Sequence, residues 1–241
     1  MYGIAELLFG RTAGPLGVAA LVTTLLGVVL MCAALLLLAR RNEVGWWLAG
    51  ASFLLGGIVQ MMDFPGVAAG SPAGLLMFAA GVAIPLLVSL GVAAYGLLSF
   101  QKLRRDSPST RVLQLRPFSG VDLVGPVAVA LVCALASMLV VFSFFSGFSA
   151  PLARLPWAAL LVPAFLSALL PGALVGLAHR SRWAWLLVVA ASASSVYSAT
   201  MSARGSVLIF LFVAQAAVAV IGWQRWGTLP ADGPGRVGRA G

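Results

Sequence analysis

Charge is what this chain has least of. Only 9% of its 241 residues are charged, against roughly 25% in an ordinary soluble domain. There are six acids, two cysteines and a single histidine. Each scarcity excludes something. With so few polar groups the chain cannot coat a water-exposed surface, so a soluble globular fold is ruled out. The one histidine, His179, stands beside Arg180, and no apolar run carries a pair of acids. General acid–base catalysis and a divalent metal site therefore lack their ligands, and a serine nucleophile would lack its base. The chain is not expected to be an enzyme or to hold a cofactor. The missing carboxylates also argue against proton coupling. Cys32 and Cys133 sit singly in apolar runs, without CxxC spacing, which speaks for small hydrophobes rather than a disulfide or metal pair. The net charge of +9 does not point to nucleic acid, because no basic domain stands apart from the apolar runs.

What the chain has is hydrocarbon. Hydrophobic residues make up 61% of it and the mean hydropathy is +1.06. A membrane-spanning helix needs about 20 mostly apolar residues, and seven runs qualify: 16–39, 44–62, 73–100, 121–146, 155–178, 183–203 and 205–226. Backbone polar groups must pair within lipid, so each run is expected to be helical, and the alternation of a β-barrel is absent. The fold class is an all-α integral membrane protein of seven transmembrane helices, with the lipid bilayer as its first partner. Glu6 and Arg11 precede a first run that is too long for a signal-peptide core, so that run is expected to remain as a helix. Loop chemistry separates the others: Arg40-Arg41-Asn42-Glu43, then Asp63 to Pro72, then the long polar stretch Lys102 to Pro117. Ser202-Ala203-Arg204-Gly205 is the weakest boundary.

Lysine and arginine set the orientation. With seven helices, only Arg11, Arg154 and Arg204 fall on one side, and the other twelve of the fifteen fall opposite. The richer side should be cytoplasmic, which places the N-terminus outside and the C-terminus inside. Trp46, Trp47, Trp183, Trp185, Trp223 and Trp226 cluster near the basic ends, as an interfacial belt would.

The chain also resembles itself. Arg41 precedes Trp46 by five residues, and Arg180 precedes Trp185 by five. Gly96 is followed four residues later by Phe100, and Gly222 by Trp226. These matches organise the chain as an extracytoplasmic segment 1–15, a three-helix bundle 16–100, a basic cytoplasmic loop 101–120, a linker helix 121–146, a second bundle 147–226 and a disordered cytoplasmic tail 227–241. The linker helix restores the chain direction, so the two bundles run parallel.

On these residues the chain resembles the PnuC-type vitamin transporters, whose 3+1+3 helix order is shared with the sugar-transporting SWEET proteins. The resemblance rests on Trp183 opening the sixth helix, Tyr197 near its far end, the Arg204-Gly205 turn, and the Gly222 and Trp226 closure. Tyr95-Gly96 with Phe100 is similar to the matching motif of the family's first half. The resemblance implies facilitated diffusion of a vitamin precursor or nucleoside: nicotinamide riboside, riboflavin, thiamine or a deoxynucleoside. The chain departs from the family at Leu187 to Ala191, at Phe212 and Gln215, and at Leu86 and Ser89, where polar or aromatic residues are usual. A non-transporting membrane subunit or scaffold on the same fold is the alternative.

The candidate binding residues are Gln215, Tyr197, Ser194, Ser198, Gln60, Tyr95, Phe212 and Trp183. Polar groups at membrane depth are costly and usually face the bundle interior. Ser194, Tyr197 and Ser198 share one helix face by their i, i+3, i+4 spacing. An amide and hydroxyls could bond a ribose while aromatics stack on a flat ring. The competing role for the serines is contact between helices, and Gln60 with Asp63 can equally sit in water at the outer surface. Pro85, Pro163 and Pro171 fall inside runs and can kink their helices. A homo-oligomer is compatible with the sequence. An odd number of crossings requires reporter tags on the two termini to report opposite compartments; the same compartment for both would collapse the seven-helix order.

Overall fold

The computed structural model of the chain describes residues 14–63, 79–106, 120–146, 157–201 and 206–227. Arg11, Arg154, Arg204, Pro65 to Pro72, Ser107 to Pro117 and the tail from residue 228 lie outside the described residues. Among the described residues the chain is all-helical and has no strand. Helix α1 spans Gly14–Ala39 and α2 spans Val44–Asp63. A π-helical turn at Ala79–Ala83 leads into α3, Ile84–Asp106. Then follow α4 (Val121–Ser146), α5 (Trp157–Ala178), α6 (Ala184–Met201) and α7 (Ser206–Gly227). Helix α3 therefore carries six residues of the expected basic loop. Gln101 to Asp106 consists mostly of good helix formers, and Arg104 and Arg105 in the last turn favour the negative end of the helix dipole.

Three stretches are long and apolar enough to cross a membrane: Leu21–Ala39, Gly81–Arg105 and Val207–Gly227. Shorter apolar stretches occur in α2, α4, α5 and α6. Large apolar side chains such as Leu87, Leu98, Phe210 and Val213 point outward. Such a surface is unfavourable in water and suits lipid, as in a membrane protein.

The helices close a ring. Helix α1 packs on α2, α2 on α3, α3 on α5, α5 on α6, α6 on α7, and α7 returns to α1. Helix α4 lies outside, against α5 and α3. Exchanging α1–α3 with α5–α7 maps the ring onto itself. Small residues permit these approaches. A Cβ on Gly172 would collide with the Pro126 carbonyl of α4, and one on Gly45 would meet the Ala34 carbonyl and Leu38.

The two halves agree most closely at the basic end. Arg41 (φ 58°) and Arg180 (φ 62°) both take the left-handed conformation that ends a helix. The Arg41 N–H donates to the Leu38 carbonyl and the Asn42 N–H to the Leu37 carbonyl, each at 2.9 Å. In the second turn, Arg180 donates to Leu177 at 3.0 Å and Ser181 to Gly176 at 2.9 Å. This Schellman pairing satisfies helix-terminal carbonyls. It offsets the roughly 1–2 kcal/mol that a side chain loses in left-handed backbone. Asn42 Oδ1 then accepts from the Val44 N–H at 3.0 Å, capping the start of α2.

Five residues past each arginine, a tryptophan packs inward. The Trp46 ring lies on Gly96 of α3, and the Trp185 ring lies on Gly222 of α7; a Cβ at either glycine would occupy the ring's position. Trp226 meets Trp185 edge-on, with centroids 5.6 Å apart and planes at 87°. The paired sequence spacings thus have a common physical cause. They also correct the interfacial belt: Trp46, Trp185 and Trp226 are buried, while Trp47 and Trp183 are exposed. A Gly in the third helix of each half offers bare backbone to the indole, which turns the ring into the bundle. Gly96→Leu should cost roughly 1–3 kcal/mol by overpacking and lower the melting temperature in detergent by several degrees. Gly91→Leu should change it little, since open space surrounds Gly91.

Candidate functional site

Inside the ring, toward the end opposite the basic turns, lies a cavity of about 560 Å³. It falls in the range of small-molecule sites. All six ring helices contribute: Thr23 and Met31 from α1, Ser52 from α2, Pro85 and Ser89 from α3, Leu170 from α5, Ser195 from α6, and Phe212 and Gln215 from α7. Pro85 cannot donate a backbone hydrogen bond, and its ring disfavours a regular turn before it. The π-helical turn at Ala79–Ala83 lies just upstream and widens the chain where it meets the cavity.

The polar groups on this wall are not equivalent. Ser52 Oγ donates across helices to the Gly27 carbonyl at 2.8 Å, which binds α2 to α1. Thr23 Oγ1 donates to the Ala19 carbonyl at 2.8 Å, and Ser195 Oγ to the Ala191 carbonyl at 3.0 Å. These hydroxyls already serve backbone, though each retains acceptor capacity. Gln215 differs. It is only 4% exposed and is the one amide among the described residues on this wall. A buried amide left without partners costs roughly 1–3 kcal/mol. Ser89 on α3 is likewise buried and lines the cavity.

The floor of the cavity is apolar and built twice over. Helix α1 supplies Met31, Leu35 and Leu38; α5 supplies Leu170, Leu174 and Leu177 with the same i, i+4, i+7 spacing. Leu35 and Leu174 are fully buried in one core with Trp46, Trp185 and Val188. This layer separates the cavity from the basic end.

The sequence-derived candidates are distributed around this frame. Gln215 and Phe212 are on the cavity wall. Ser194 is buried, but on α6 the wall is formed by Ala191 and Ser195. Tyr197 is 48% exposed and is not part of this wall. Gln60 and Ser198 lie within α2 and α6, but their side chains are outside the described residues. Tyr95 sits at the basic end, where its Oη is 2.9 Å from His179 Nε2, with the donor set by the tautomer. Trp183 packs edge-on against Trp223 at 5.2 Å, and the Arg182 guanidinium stands 4.1 Å above the Trp223 ring. That group is a surface cluster at the basic end.

Ser89, Ser195 and Thr23 were not among the candidates. Choosing Ser194 over Ser195 turns the face of α6 by about 100°, one residue of helix. A serine-rich run gives no signal to fix that phase. In a background lacking Cys32 and Cys133, Ser195→Cys and Ser89→Cys should react with a small hydrophilic thiol reagent about tenfold faster than Ser194→Cys. Equal rates would deny that the cavity is accessible from that end.

No protein-family model, curated protein or solved structure matches this chain, so its site is read from its own geometry.

Proposed function

We propose that this chain is a seven-span facilitator in a cell membrane, with the N-terminus outside and the C-terminus cytoplasmic. Its solute is small and largely uncharged, of the vitamin-precursor or nucleoside class, with a nicotinamide riboside-type molecule foremost. The observation that carries this reading is the Gln215 amide, buried at membrane depth yet on the wall of the central cavity. A solute hydroxyl or amide could bond to it, and Ser89 from the opposite half could bind a second polar group. Phe212 offers an apolar face to a flat ring. Binding would thus draw on both halves of the ring, as alternating access requires.

The seams suit such a motion. Within each triplet a tryptophan ring clamps the second helix to the third. Between triplets the contacts are α1 with α7 and α3 with α5. Rocking at those two seams would part Leu35 from Leu174 and close the opposite end. Among the described residues the cavity wall carries no carboxylate, which supports uncoupled diffusion over a proton-driven pump.

A thermal-shift screen of the purified protein against vitamins and nucleosides should reveal a stabilising ligand. Gln215→Leu should reduce uptake of that ligand at least tenfold while membrane insertion stays normal. Undiminished uptake would remove Gln215 from the site. A protein that responds to no solute, and moves none, would instead be a non-transporting subunit or scaffold on this fold.

A further inference from the structure

A second cavity, of about 550 Å³, opens at the basic end, beyond the leucine layer. Its wall carries Arg41, Lys102, His179 and Arg180, and among the described residues no acidic side chain. The acid on the α1–α2 turn, Glu43, is held by Arg104 at 3.3 Å and does not line the space.

The cations arrive there by the internal repeat. Arg41 and Arg180 occupy the same position in two matching turns, so exchange of the halves carries one onto the other. Both therefore face one mouth from opposite halves of the ring. Burial, and secondarily Arg180, lowers the Arg41 pKa from its ordinary value. Two guanidiniums sharing a half-buried space repel each other, and an anion between them would relieve that repulsion. Lys102 adds a point charge from the end of α3. Tyr95 Oη and His179 Nε2 add a hydrogen-bonding pair that spans α3 and the α5–α6 turn. Trp46, Phe100 and Trp226 give the mouth an apolar lining, which strengthens charge–charge attraction by excluding water.

We propose that this mouth binds a phosphate-bearing anion, with its oxygens held by Arg41, Arg180 and Lys102. Guanidinium forks match phosphate geometry, and the lysine supplies further positive charge. The site does not depend on the transport reading, since it lies across the leucine layer from the central cavity. The donors come from both triplets, so a bound anion ties the halves together at this end and favours the arrangement in which the leucine layer is shut. A lipid headgroup and a soluble phosphate ester share this chemistry.

The test uses the full chain in neutral detergent. Inorganic phosphate is titrated against sodium chloride of matched ionic strength, and phosphatidylglycerol against phosphatidylcholine in mixed micelles. A saturable rise in melting temperature is expected with one probe or both, about 3–5 °C at a tenfold excess over half-saturation. Lys102→Gln, on an exposed helical position, and Arg180→Asn, which tolerates left-handed backbone, should each weaken that response at least tenfold. If Arg180→Asn does not fold, Lys102→Gln carries the test alone. A response to phosphate assigns a soluble ester, and a response to phosphatidylglycerol alone assigns a lipid headgroup. No saturable response to either probe, or one undiminished in Lys102→Gln, overturns the proposal.

Discussion

The architecture depends on an indole ring lying on bare backbone. In each half of the chain, the tryptophan that follows a basic turn is seated on a glycine of the third helix: Trp46 on Gly96 and Trp185 on Gly222. A membrane interior gives no hydrophobic drive to bring helices together, because lipid is as apolar as leucine. Close packing must supply the attraction, and a flat ring against a helix without a side chain gains much of it in one contact. The turns hold the rings in place. Arg41 and Arg180 end one helix in left-handed backbone and release the chain so that the tryptophan five residues on points inward.

Much of this was legible in the sequence because arginine, tryptophan and glycine are sparse punctuation in an apolar chain. The five-residue and four-residue spacings marked the repeated basic end, and the structure supplies their cause. What stayed hidden was the inward turn of the rings. Trp46 and Trp185 read as interfacial because position along the helix was visible and azimuth was not. An apolar helix in an apolar solvent has little amphipathic contrast, so periodicity cannot say which face is inside. The same ambiguity separated Ser195 from Ser194 on α6, and left the matched apolar spacing of α1 and α5 without any mark among so many leucines. Gln215 stood out because a lone amide has few reasons to be at that depth.

The polar chemistry of the molecule is divided by depth. At the basic end the groups are cationic and the wall is rich in donors. In the central cavity they are neutral, and most hydroxyls are turned back onto helix carbonyls. A neutral amide and a hydroxyl can select a solute by hydrogen bonds without holding it strongly. The apolar layer of Leu35 and Leu174 keeps the two electrostatic environments apart.

At the basic end the turns and ring contacts repeat, and near the cavity α3 begins, alone among the described residues, with a π-helical turn and Pro85. The ring contacts that hold the helices and the wall of the central cavity therefore occupy different storeys of one building. Residues around Pro85, Ser89 and Gln215 can be exchanged without disturbing the rings that lock the helices together. A scaffold arranged this way can acquire a new ligand by altering one storey, and its duplicated foundation leaves that freedom intact.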